Sequence, residues 1–136
     1  MAGSRRKARA LALQALYEID SVRHEADETL NRLLAEEKLS AENRDFIREM
    51  VKGVIRNKEK IDQNIQRFAP TWPVAQIPAI DRNILRLAIF EILFDNRVSV
   101  KIAINEAVEL AKKFGSENSS KFINGVLGSI SSLVNK

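Results

Sequence analysis

Apolar residues recur at helical spacing along most of the chain, and one stretch is apolar on every side. In Asp81–Phe94, DRNILRLAIFEILF, residues Ile84, Leu85, Leu87, Ala88, Ile89, Phe90, Ile92, Leu93 and Phe94 point in nearly all directions around a helix. A helix without a polar face has to be surrounded by other elements. The stretch is shorter than the roughly 20 apolar residues that span a bilayer, and Asp81, Arg82, Arg86 and Glu91 interrupt it. The pattern predicts the central helix of a bundle.

The other stripes are one-sided. Residues 5–21 carry Ala8, Leu11, Ala12, Ala15, Leu16 and Ile19 on one face, with Arg5 and Arg9 at its edge. A polar break at His24–Ala26 precedes a short helix over 27–39 that turns Leu30, Leu33 and Leu34 inward and Glu36, Glu37 and Lys38 outward. Ser40 is a fitting N-cap for the next helix, whose stripe is Phe46, Ile47, Met50, Val51, Val54 and Ile55. Gly53 in that stripe marks either a close helix crossing or a weak point. The pattern resumes at Ile61, Ile65 and Phe68, so residues 41–68 form one long helix or two that meet near Asn57.

Pro70, Pro73 and Pro78 then forbid a regular helix, with Trp72 and Ile77 expected to tuck against the core. After the central helix, a turn at Asn96–Ser99 leads to an amphipathic segment over 100–114. It places Ala103, Ile104, Ala107, Leu110, Ala111 and Phe114 inward and Lys101, Asn105, Glu109 and Lys112 outward. Glu109 and Lys113 have the spacing of a stabilising i, i+4 pair. Gly115 reads as the stop and Ser116 as the next N-cap, with Glu117 facing the positive end of the helix dipole. The last helix is expected to bury Ile123, Val126, Leu127, Ile130, Leu133 and Val134. No alternating run bounded by turn signals argues for a sheet, so the class is all-α. The expected division is an N-terminal helical subbundle with a basic arm (1–69), a proline-rich hinge (70–79) and a C-terminal subbundle (80–136) within one compact domain.

Charge sharpens this picture. At 136 residues and 45% hydrophobic content there is material for a sizeable core, and without cysteine there is neither disulfide nor thiolate metal site. Of the 22 basic side chains, Arg5, Arg6, Lys7 and Arg9 lie in an acid-free start, which leaves the rest balanced against 18 acidic ones. A neutral body with one basic end fits a localised anionic partner, nucleic acid or a membrane surface. The start is basic and then apolar as in a signal peptide, but Gln14 and Glu18 lie among apolar residues at helical spacing, so a cytoplasmic protein is expected. At about 100° per residue, Arg6, Leu13 and Tyr17 fall close together beside Arg9, a plausible platform on which unpaired bases stack. The alternative is that Tyr17 packs on a neighbouring helix and the arginines form a solvated end.

Catalytic groups are scarce. The single histidine, His24, lies in a polar turn, and no glycine-rich phosphate loop occurs. A carboxylate-bridged metal pair built from Asp81, Glu91, Glu106 and Glu109 lacks the histidines such bundle sites use, so ion pairing or capping is the expected role of these acids. By elimination the chain is a binding protein without cofactor or metal.

Three segments, RRKARALALQALYE, DRNILRLAIFEI and INEAVELAKKFGSENSSKFINGVL, resemble the NusB family of bacterial transcription antitermination factors, over residues 5 to about 128. The resemblance implies an all-helical fold of two three-helix subbundles and no enzymatic activity. It implies binding to the boxA element of ribosomal RNA transcripts together with NusE, a ribosomal small-subunit protein, within the RNA polymerase antitermination complex. By position it nominates Arg5, Arg6, Lys7, Arg9, Gln14 and Tyr17 on the first helix and Asn118, Lys121 and Phe122 on the last as RNA contacts, with Asp81, Arg82, Arg86 and Glu91 as the surface for NusE. A homodimer that hides the arm would suppress unproductive binding. On this reading Arg6→Ala and Arg9→Ala weaken RNA binding and leave the melting temperature nearly unchanged. Two rivals stay open. One is the RNA-binding domain of ribosomal RNA cytosine methyltransferases, whose catalytic cysteines are missing from these 136 residues; the other is a helical protein–protein adaptor.

Overall fold

In the computed structural model, which describes residues 2–95 and 97–134, the stripes become seven helices. They are α1 (Ala2–Val22), α2 (Ala26–Ala35), α3 (Ala41–Arg56), α4 (Lys58–Phe68), α5 (Ala79–Leu93), α6 (Val100–Phe114) and α7 (Ser119–Ser131), with a 3-10 turn at Val74–Gln76. No strand occurs among the described residues, and none of their helices is long and apolar enough to cross a membrane. Asn96, at the start of the expected turn, lies outside the described residues.

Helix α5 is the axis of the molecule and packs against α1, α3, α4, α6 and α7. Ile84, Leu85, Ile89 and Ile92 are fully buried, each worth about 1.5–3 kcal/mol of transfer free energy before the entropy of ordering is subtracted. Its polar residues go inward as well. Asp81 accepts a 2.7 Å hydrogen bond from Ser119 Oγ, and Asn83 Nδ2 donates to Asp20 Oδ2 at 3.0 Å. Arg86 forks onto Asp62 at 2.8 and 2.9 Å, and Glu91 receives Arg9. Such groups are tolerated in a core only when partnered. Arg82 reaches Asp20 Oδ2 at 2.8 Å and donates to the carbonyls of Ala75 and Ile77 at 3.1 and 2.7 Å, pinning the proline-rich segment, which lacks helical partners for those oxygens. Burial pushes the Asp20 carboxyl up, but hydrogen bonds from Arg82 and Asn83 and the charges of Arg86 and Arg82 outweigh it and hold the group below the usual aspartate value.

Local chemistry accounts for several boundaries. Ser40 Oγ accepts from the Asn43 amide at 3.1 Å, starting α3, and Ser99 Oγ accepts from the Ile102 amide at 3.2 Å, starting α6. Asn57 ends α3 by donating from both its backbone and its side chain to the Gly53 carbonyl, so residues 41–68 are two helices. Gly53 lies at a close crossing: a Cβ there would meet Phe90 Cζ at 2.2 Å.

Four packing expectations need correction. Trp72 is 62% exposed, whereas Ile77 is buried and Val74 packs partly against the core. Leu133 is exposed beyond the end of α7. The N-cap of α7 is Asn118, since Ser116 forms the preceding turn, its amide donating to Ser119 Oγ at 2.8 Å. The partner of Glu109 is Lys112, at 4.0 Å, one residue earlier than expected.

Candidate nucleic-acid interface

Each of the four leading cations has a carboxylate partner. Arg5 Nη2 lies 3.2 Å from Glu42, with its guanidinium 4.1 Å from the centre of the Phe46 ring. Arg6 Nε donates to both oxygens of Glu106 at 3.1 and 3.0 Å, and Lys7 Nζ sits 3.1 Å from Glu37. Arg9 is different in kind. With its side chain 4% exposed, it makes hydrogen bonds of 2.8–3.2 Å to Glu91, itself equally buried, and Nη1 lies 3.7 Å from Glu106. The stripe of α1 rests on the core, and Arg9 one residue past Ala8 is carried inward with it. Arg9 is therefore an internal cation in this structure, not part of the exposed front of the arm. Arg6 and Lys7, 58% and 53% exposed, keep the reach that phosphate contact requires.

The stacking platform also changes. Leu13 is buried in the core, whereas Tyr17 is exposed beside Phe114, which the spacing had placed inward. Tyr17 and Phe114, with Lys7 and Gln14, line a hollow of about 280 Å³. Lys7 and Ala10 also line a larger groove of about 660 Å³ between α1 and α6, ringed by Arg6, Lys112 and Lys113 and floored near Glu106 and Glu109. On the other side, past Ile80 and Asp81, a hollow of about 400 Å³ is bounded by Trp72, Gln76, Pro78, Asn118 and Phe122. Lys121 is exposed on the first turn of α7, and the Asn118 side chain makes no capping hydrogen bond, which leaves its amide for a ligand.

One strip thus runs from the front of α1 over the end of α6 to the start of α7. Arg6, Lys7, Gln14, Tyr17, Asn118 and Phe122 line it, and Lys121 is exposed on the adjoining first turn of α7; Arg5, half-buried against Phe46, borders it. Sequence reasoning missed Lys112, Lys113, Phe114 and Trp72. The run KKFG and a tryptophan flanked by prolines were available signals. With Arg9 neutralised by Glu91, the large groove holds four cations against two carboxylates. Cations spaced along exposed aromatic rings neutralise phosphates and stack bases, the two operations that binding of unpaired RNA needs.

The four residues nominated for a protein partner do not form an exposed patch in this structure. Asp81, Arg86 and Glu91 are buried, and Arg82 is largely covered by Asp20 and the proline segment. Arg82, Arg86 and Glu91 take charged partners inside the fold and Asp81 takes the Ser119 hydroxyl, because α5 is enclosed on all sides. Among the described residues, no group of three or more histidine, cysteine or acidic side chains is placed to hold a metal ion.

The family model described as NusB family matches residues 6–132. A transcription antitermination protein NusB from Dehalococcoides mccartyi (strain CBDB1) is 56% identical over 131 residues, covering 96% of this chain and 92% of that protein. One from Chloroflexus aggregans is 46% identical, covering 96% of this chain and 88% of its own length. Among solved structures, T. maritima NusB superposes with a TM-score of 0.89 at 33% identity, covering 94% of this chain and 90% of that one. A crystal structure of antitermination factors NusB and NusE in complex with dsRNA contains a chain with a TM-score of 0.89 at 26% identity, covering 98% of this chain and all of that one.

Proposed function

Because the chain belongs to the NusB family, we propose that it is a transcription antitermination factor. It grips the boxA element of ribosomal RNA transcripts jointly with NusE and joins the RNA polymerase antitermination complex in the cytoplasm. Its action is association rather than catalysis. The observation that supports this reading most is the groove ringed by Arg6, Lys7, Lys112 and Lys113, which adjoins through Lys7 a hollow lined by Tyr17 and Phe114, with Trp72 and Phe122 lining a further hollow.

In this mechanism the cations set the register on the phosphates, Tyr17, Trp72 and Phe122 stack on splayed bases, and Gln14 and Asn118 read base edges. Four phosphate contacts to single-stranded RNA give a salt slope of about 2.8, so affinity falls steeply towards physiological salt. A partner protein that extends the strip offsets this, which fits a two-protein reader. Titration of labelled boxA RNA, with and without NusE, tests the proposal. Binding is expected in the mixture, weakened by about 1–3 kcal/mol in Tyr17→Ala and Trp72→Ala at unchanged melting temperature. No binding in either mixture would refute the antitermination reading and favour an adaptor.

A further inference from the structure

Among the carboxylates that pair with the solvent-accessible cations Arg5, Arg6 and Lys7, Glu106 is the most buried. The side chains of Glu42 and Glu37 are 84% and 33% exposed, whereas that of Glu106 is 13% exposed and backed by Arg9 Nη1 at 3.7 Å. Both its oxygens accept from Arg6 Nε, and no other group among the described residues takes a hydrogen bond from Arg6. A carboxylate fixed on a guanidinium occupies the place of a phosphate. The Arg6 side chain is 58% exposed and that of Glu106 13%, so a strand reaches Arg6 from solvent and has to draw it off Glu106.

We propose that Glu106 is a specificity-determining residue for RNA: it holds Arg6 back from loosely bound strands and releases it only to a strand whose bases are already seated on the strip. The inference rests on the RNA-binding reading above. A strand without seated bases samples many registers on Lys7, Lys112 and Lys113 and presents no phosphate long enough at one place to displace a tethered acid. A seated strand presents a phosphate at a fixed position and therefore at high effective concentration. Arg6 then contributes to the cognate complex alone.

The salt dependence of binding reads this out directly. For the wild-type protein with NusE, the slope of log affinity against log salt for boxA RNA is expected to exceed that for a scrambled RNA of equal length by about 0.7, one phosphate contact. In Glu106→Gln, which retains an acceptor for Arg6 but no charge, the two slopes are expected to converge, and boxA affinity to rise roughly twofold to fivefold as the competing ion pair is lost. In an Arg6→Ala background, Glu106→Gln is expected to change neither slope. Equal slopes in the wild type, or a Glu106→Gln effect that persists without Arg6, would overturn the inference. Should Glu106→Gln fold poorly, Arg6→Ala alone decides: it lowers the boxA slope and spares the scrambled one, or the inference is wrong. Loss of all boxA binding by the wild type would instead refute the function on which it rests.

Discussion

Replacing Arg9 is the sharpest test of how the basic arm is divided between folding and binding. The side chain makes three hydrogen bonds of 2.8–3.2 Å to Glu91, and both residues are shielded from water. Its guanidinium also lies 5.5 Å from the Phe46 ring centre. Arg9→Ala removes the cation and leaves a buried carboxylate unpaired, a change that costs about 3–5 kcal/mol. For a 136-residue chain, that is about 11–18 °C in melting temperature, using an unfolding entropy of roughly 2 cal/mol/K per residue. Urea unfolding followed by circular dichroism measures it. The paired replacement Arg9→Met with Glu91→Leu is expected to recover most of the loss, since apolar residues of similar volume substitute well for a buried ion pair. Glu106 keeps Arg6 in that variant. A loss below about 1 kcal/mol for Arg9→Ala would refute the argument that the pair is structural. Near-normal RNA binding by the paired variant would separate Arg9 from the interface, whereas a large loss at full stability would return it there.

Two further perturbations probe the scaffold. In Gly53→Ala the new Cβ would lie 2.2 Å from a Phe90 ring atom, and overpacking of about 1–3 kcal/mol should outweigh the gain in helix propensity of roughly 1 kcal/mol; a rise in stability would show that the ring swings aside freely. Asp20, held below the usual aspartate value, contributes stability that is fully present above the unfolded value of 3.8 and lost as pH falls through the lower folded value. Wild-type protein should therefore exceed Asp20→Asn in urea unfolding at neutral pH by a margin that shrinks below about pH 4. A margin independent of pH would refute that.

The division between what the sequence determined and what the tertiary structure decided follows the range of the interactions. The break at Asn57 and the close approach at Gly53 were each one of two open readings, whereas the helix stripes, the enclosed α5 and the Ser40 cap were legible. Each is set by residues within a turn or two, or by an apolar pattern that has only one way to be covered. Periodicity gives an angle around a helix, but not which flank a neighbour covers. So Leu13 turned out buried, and Phe114 and Trp72 exposed.

Charge was the least legible property, because a charged residue reads the same in water and in a core. Arg9 and Glu91 lie 82 positions apart, and Arg6 and Glu106 lie 100 apart. Only the packing of α1 against α5 and its approach to α6 made those pairs. The sequence determined that the front of α1 is basic. The tertiary structure decided that one of its arginines closes the core while its neighbours face a groove, because desolvation forces a buried charge to take an internal partner and leaves an exposed one free to exchange it.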